Sequence, residues 1–219
     1  MDNRIKYLLF FLLVIISCPL FSHPMDMNLE KISSAEVSWV YLKLGFTHIL
    51  PLGIDHILFV LGLFFLSPKL KPLLTQVTCF TIAHTITLGL AVYNVVSLPS
   101  YIVEPVIAAS IIYVAIENLR RRELNKWRLL VVFLFGLIHG MGFAGALKEL
   151  GLPKSQFLNA LLTFNLGVEL GQMTVIMIAF LAVGLWFKSR EWYHKRIVVP
   201  ASLVIAIIAA YWTVERIFF

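Results

Sequence analysis

Apolar residues fill this chain in long, nearly unbroken runs, not in the alternating or one-faced patterns of a soluble domain. Six such runs lie near 46–66, 73–95, 101–119, 129–147, 157–187 and 197–217. Each is close to or above the about 20 residues that an α-helix needs to cross a bilayer. The pattern predicts an all-α, polytopic membrane bundle of six transmembrane helices. The fifth run is long and contains Gly167 and Gly171, which allow a tilt or kink. In the first run, Pro51 and Gly53 are expected to kink the helix beside Asp55 and free backbone carbonyls there.

The N-terminal residues have a different pattern. Arg4 and Lys6 precede a short apolar stretch from Tyr7 to Ile16, Pro19 breaks it, and Ser22 is a small residue suited to cleavage. Residues 1–22 read as a secretory signal peptide that is cleaved off. A competing reading takes Ile15-Ile16-Ser17-Cys18 as a lipoprotein box with Cys18 lipidated. Residues 23–45 form a short periplasmic or interfacial segment. There Ile32, Ala35, Val37, Trp39, Val40 and Leu44 suggest an amphipathic helix lying on the membrane. The transmembrane domain is assigned to 46–219.

Composition agrees with the pattern. The chain is 60% hydrophobic and only 14% charged, against about 45–50% and about 25% in soluble domains. A soluble or disordered protein is excluded on these figures. The net charge of +6 does not point to nucleic acid, because the bases sit in short gaps between apolar runs. They concentrate in three connections: Lys69 and Lys71; Arg120, Arg121, Arg122, Lys126 and Arg128; Lys188, Arg190, Lys195 and Arg196. The other side carries only Lys31, Lys43, Lys148, Lys154 and Arg216. The positive-inside rule places the first set in the cytoplasm of a bacterial inner membrane, with the mature N-terminus and the C-terminus outside. Cys18 and Cys79 are the only cysteines, too few for a disulfide framework or a thiolate metal cluster. The expected partners are the lipid bilayer and a metal ion, and a homo-oligomer is left open.

Ionisable residues inside the spans are costly in lipid and are therefore functional candidates. The first span carries His48, Asp55 and His56, the second His84, the third Glu104, Glu117 and Asn118, the fourth His139, and the fifth Asn165, Glu169 and Gln172. His56, His84 and His139 lie near the middle of their spans, with Asn165 and Glu169 slightly displaced. On a continuous helix His48 and Asp55 would share a face two turns apart, with His56 about a quarter-turn away. Asp55 would then either ligate a metal or orient a neighbouring imidazole. Neutral imidazoles with carboxylates suit Ni, Zn, Cu, Fe or Co better than Mg or Ca. A proton relay would use the same residue types, and so would a buried network that only ties helices together. If Ser22 ends the signal, His23 becomes the N-terminus, and its amine and imidazole, with Met25 and Met27, make a second, copper-like candidate site. The plainer reading is a histidine that happens to follow a cleavage site. Gly136, Gly140 and Ala144, spaced by four, predict close helix approach. His56 and His84 are 28 residues apart and His139 and Glu169 are 30 apart, which suggests a 3+3 inverted repeat of the kind common in transporters.

Five elements together resemble the HupE/UreJ family of bacterial membrane proteins. They are His48…Asp55-His56; Cys79-Phe-Thr-Ile-Ala-His84-Thr-Ile-Thr-Leu; Val103-Glu104-Pro…Ser110…Glu117-Asn118; Phe135-Gly-Leu-Ile-His139-Gly-Met-Gly-Phe-Ala144; and Phe164-Asn165-Leu-Gly-Val-Glu169-Leu-Gly-Gln172. The resemblance spans nearly all of 45–185 and implies six helices after a cleaved signal, a link to hydrogenase or urease maturation, and nickel uptake. It carries Asp55, His56 and His139 over as candidate ligands. The nickel-linked members have five residues between the His and the Asp-His pair, and a second His in the fourth-span motif. Here six residues separate His48 from Asp55, and Ile138 stands before His139. The chain thus resembles a divergent branch, with the metal left open among Ni, Zn, Cu and Co.

Two functions follow. In a permease, His48 and Glu104 would receive a divalent transition-metal ion, and His56, Asp55, His84, His139 and Glu169 would form a midplane site. There is no Walker A pattern, so transport would be passive or ion-coupled. In an intramembrane zinc hydrolase, His56, His84 and His139 would hold the metal, with Glu169 or Asp55 as general base. A membrane anchor or metal chaperone is a third reading, disfavoured by the short loops.

Overall fold

The computed structural model describes residues 33–121, 123–149 and 153–219. The signal peptide, Cys18 and His23 lie outside them. Seven helices are seen among the described residues: α1 Ser34–Ile49, α2 Ile54–Leu66, α3 Leu70–Val92, α4 Ser100–Arg120, α5 Arg128–Glu149, α6 Phe157–Phe187 and α7 His194–Phe218. No strand occurs among the described residues. The helix α6 runs through a π-helical turn at Phe180–Gly184, and α7 opens with another at His194–Val198. Helices α3 to α7 are each long and apolar enough to cross a bilayer, and α1 and α2, bent against each other, pass the same test together as a broken span or a re-entrant loop.

The kink expected at Pro51 and Gly53 is a full break, so His48 and Asp55 do not lie on one continuous helix. Ser33 caps α1 through a reciprocal box with Glu36, and the helix runs on to Ile49. Pro51 has no N–H to continue the ladder, and α2 leaves at 68° to α1. Gly53 makes the tight return possible, because a Cβ there would lie 2.2 Å from the His48 carbonyl oxygen. His48 and His56 would be about 12 Å apart along a straight helix. The break instead brings their rings to 4.8 Å.

The helices pack mainly in three pairs. Helices α1 and α6 run parallel, α3 and α5 run parallel, and α4 and α7 run antiparallel. Glycine allows backbone to meet backbone in the first two pairs. A Cβ at Gly45 would lie 1.8 Å from the Phe164 carbonyl oxygen, and one at Gly167 would lie 2.1 Å from that of Leu42. In α5, Gly136 packs on the Phe80 carbonyl and Gly140 on that of His84, as the four-residue spacing predicts. The outward faces are apolar: Leu158, Leu162, Leu166 and Leu170 form an exposed stripe on α6, as lipid contact requires.

The three basic connections gather at one end of the bundle. There the Arg128 guanidinium bonds the Glu117 carboxylate, and its Nε donates to Gln76 Oε1 at 2.7 Å. Asn118 Nδ2 donates to the Gly62 carbonyl and to Ser202 Oγ, and His194 meets the Asn118 carbonyl at 3.1 Å. Arg128, read from sequence as a loop base, is only 4% exposed. Truncating one partner of a buried pair costs about 3–5 kcal/mol, because the other charge is stranded. Glu117→Ala is therefore expected to lower the thermal unfolding temperature in detergent markedly, as measured by scanning fluorimetry, whereas Glu104→Ala, on an exposed residue, should leave it unchanged.

Candidate metal centre

Four helical elements carry histidine into the centre of the bundle. His48 comes from the end of α1, His56 from the first turn of α2, His84 from the middle of α3 and His139 from the middle of α5. One ring nitrogen from each of His48, His56 and His84 lies within 4.8 Å of the others. His139 packs against His56 at 5.0 Å between ring centroids. Phe143 lies 4.0 Å from the His48 ring, and Phe80 and Phe59 border His139. The centre is thus lined by aromatic side chains.

The hydrogen bonds around the rings decide which nitrogens are free. Asn165 Nδ2 donates to the Leu161 carbonyl, so its Oδ1 accepts from His84 Nδ1–H at 3.0 Å. Asp55 Oδ1 accepts from His56 Nδ1–H at 3.0 Å and from the His56 backbone N–H at 2.8 Å. Ser110 donates its hydroxyl to the Ile107 carbonyl, so it accepts from His139 Nε2–H at 3.2 Å. Each contact holds the proton on the outer nitrogen and leaves a lone pair on the other. Those nitrogens, Nε2 of His56 and His84 and Nδ1 of His139, are buried without a partner, as is Nε2 of His48. Partners of this kind orient metal-binding imidazoles. Nitrogens on one tetrahedral ion at about 2.1 Å sit roughly 3.4 Å apart. The three-histidine group, with its nitrogens within 4.8 Å of one another, is therefore more open than a closed tetrahedral site.

The family profile described as HupE / UreJ protein matches residues 24–216. The chain belongs to the HupE/UreJ family. Comparison with curated proteins and with solved structures gives no match.

Within this HupE/UreJ bundle the other candidates separate by place. Asp55 and Asn165 touch the histidines directly. Glu169 does not join the three-histidine group: Thr78 Oγ1 donates to its Oε1 at 2.6 Å, on the α3–α6 seam. Gln172 accepts from Thr81 on the same seam. Glu104 is exposed on α4, and its backbone carbonyl accepts from Arg216. Glu117 and Asn118, the third-span candidates, belong to the network at the basic end. His48 joins His56 and His84, where the sequence had grouped His139 with them. Ser110 and the aromatic lining went unrecognised as neighbours of the centre.

One sequence signal for this arrangement was there to be read. Gly45-Phe-Thr-His48 in α1 and Gly136-Leu-Ile-His139 in α5 share the Gly-x-x-His spacing, and each glycine packs on a phenylalanine carbonyl, Phe164 or Phe80. Exchanging the first three spans with the last three maps the α1–α6 pair onto α3–α5, and α4–α7 onto itself.

Asn165→Ala is expected to weaken metal binding by about 10–100-fold, the usual cost of losing a partner that orients a ligand. Equilibrium dialysis should show an unchanged number of sites.

Proposed function

We propose that this HupE/UreJ protein is a membrane permease for a divalent transition-metal ion, nickel by family association. His48, His56 and His84 would bind the ion, with His139 beside them. The observation that carries the reading is the set of buried imidazole nitrogens left without partners while Asp55, Asn165 and Ser110 hold the opposite nitrogens. A network serving only to tie helices would spend both nitrogens of each ring, since an unpaired buried polar atom is destabilising. Soft-to-borderline nitrogen donors suit Ni, Zn, Cu or Co. The related helix pairs support a 3+3 inverted repeat with the site at the repeat interface, an arrangement characteristic of secondary transporters. The gathering of basic connections at one end supports placing that end in the cytoplasm of a bacterial inner membrane, with both termini outside.

The test is metal content and flux. The protein, purified without a metal-binding tag, is analysed by inductively coupled plasma mass spectrometry and then reconstituted in proteoliposomes with an internal nickel-sensitive dye. Exchangeable nickel or cobalt with saturable uptake is the expected result. Chelator-resistant zinc without uptake would point to the intramembrane hydrolase, and no metal after loading would sink both.

A further inference from the structure

The Arg128–Glu117 pair is aligned with the histidine centre. On α5, His139 and Arg128 are 11 residues apart, and on α4, Ser110 and Glu117 are seven apart. At about 100° per residue each pair returns to the same helix face, three and two turns apart. Ser110 holds His139 at the upper level, and Glu117 holds Arg128 at the lower one. The buried guanidinium therefore lies at the basic end, on the same face of α5 as His139.

Its surroundings are those of a bound cation. Glu117 Oε2 and Gln76 Oε1 face it from α4 and α3. A further guanidinium nitrogen, Arg128 Nη2, is buried without a partner. The side chain also joins the α3–α5 pair to α4 of the α4–α7 pair, while Asn118 ties α4 to α2 and α7. At the opposite end, the polar bonds shown among the described residues stay within a pair: Ser38 and Ser34 with Asn159 between α1 and α6, and Arg216 with the Glu104 carbonyl between α7 and α4. The bundle is thus polar-bonded between pairs at its basic end.

We propose that Arg128 is a tethered cation plugging an inner metal-ion site, and that the oxygens of Glu117 and Gln76 bind the transported divalent ion when the guanidinium withdraws. This rests on the permease reading. Oxygen donors release such an ion more readily than three imidazoles, which fits a position near the exit. Removing the plug strands the Glu117 carboxylate, and a divalent ion can replace the lost charge.

The experiment uses the full chain in detergent and in proteoliposomes, with nickel as probe. Arg128→Gln is expected to bind two nickel ions per chain where the parent binds one, to melt at a lower temperature without metal, and to regain most of that loss when nickel is added. Arg128→Lys, which keeps a cation, should bind one. Arg128→Gln/Glu117→Gln should bind one and lose the nickel-dependent recovery. A parent that binds and transports nickel, beside an Arg128→Gln variant with a single site and no added stabilisation by nickel, overturns the plug and leaves the permease standing. A parent without nickel binding overturns the permease reading itself. If Arg128→Gln cannot be purified, Arg128→Met, which also removes the cation, decides: a nickel-dependent melting shift larger than the parent's, abolished by adding Glu117→Gln, upholds the inner site, and an equal shift removes it.

Discussion

His56→Ala is expected to weaken nickel binding by more than about 100-fold, beyond the 10–100-fold that follows loss of an orienting partner. His56 stands at the centre of the group, with the rings of His48, His139 and His84 at 4.8, 5.0 and 6.0 Å. Its removal also releases Asp55, whose carboxylate then keeps only the backbone N–H of residue 56. Equilibrium dialysis and proteoliposome uptake check the prediction. A purely structural network would give the reverse pattern: a lower melting temperature with metal binding intact.

The second large effect is at a residue that touches no metal. Gly45→Ala would place a methyl 1.8 Å from the Phe164 carbonyl oxygen and 2.8 Å from its carbon. Both are backbone atoms, so no rotamer change relieves the clash and α1 must move off α6. Overpacking costs about 1–3 kcal/mol, and more where backbone is displaced. His48 lies three residues along α1 and would move with it, so stability and nickel affinity should fall together. Gly145→Ala is the control, since nothing lies within 4 Å of a Cβ there. Thermal unfolding and nickel titration of the two variants decide the matter: a Gly45→Ala protein that behaves like Gly145→Ala would remove the α1–α6 contact as the support of the site.

Much of the fold was legible in the chain. The runs at 73–95, 101–119, 129–147, 157–187 and 197–217 correspond closely to α3 to α7. This follows from the bilayer: without water, each span must satisfy its own backbone hydrogen bonds, so length and apolarity largely define a helix. The first run was the exception. Pro51 and Gly53 signalled a kink, but hydropathy carries no direction, and the 68° turn is set by Gly53 lying against the His48 carbonyl. Arg128 was misplaced for a related reason. Its charge belongs to the loop by composition, while its partner Glu117 lies across a hairpin, and pairing across a hairpin leaves no periodic trace.

The sequence alone determined that the chain is an all-helical membrane protein, where its apolar helices run, that histidines lie at mid-depth on several of them, and which family they resemble. Those properties are local, fixed by side-chain transfer cost and residue spacing. The tertiary structure decided which histidines meet, which nitrogen of each is free, and which polar residues belong elsewhere. Such choices depend on helix rotation and close approach, set by backbone contacts at Gly45, Gly136, Gly140 and Gly167. The break at Pro51 and Gly53 joined His48 to His56, the α3–α6 seam set Glu169 on Thr78, and the α4–α5 seam set Glu117 on Arg128.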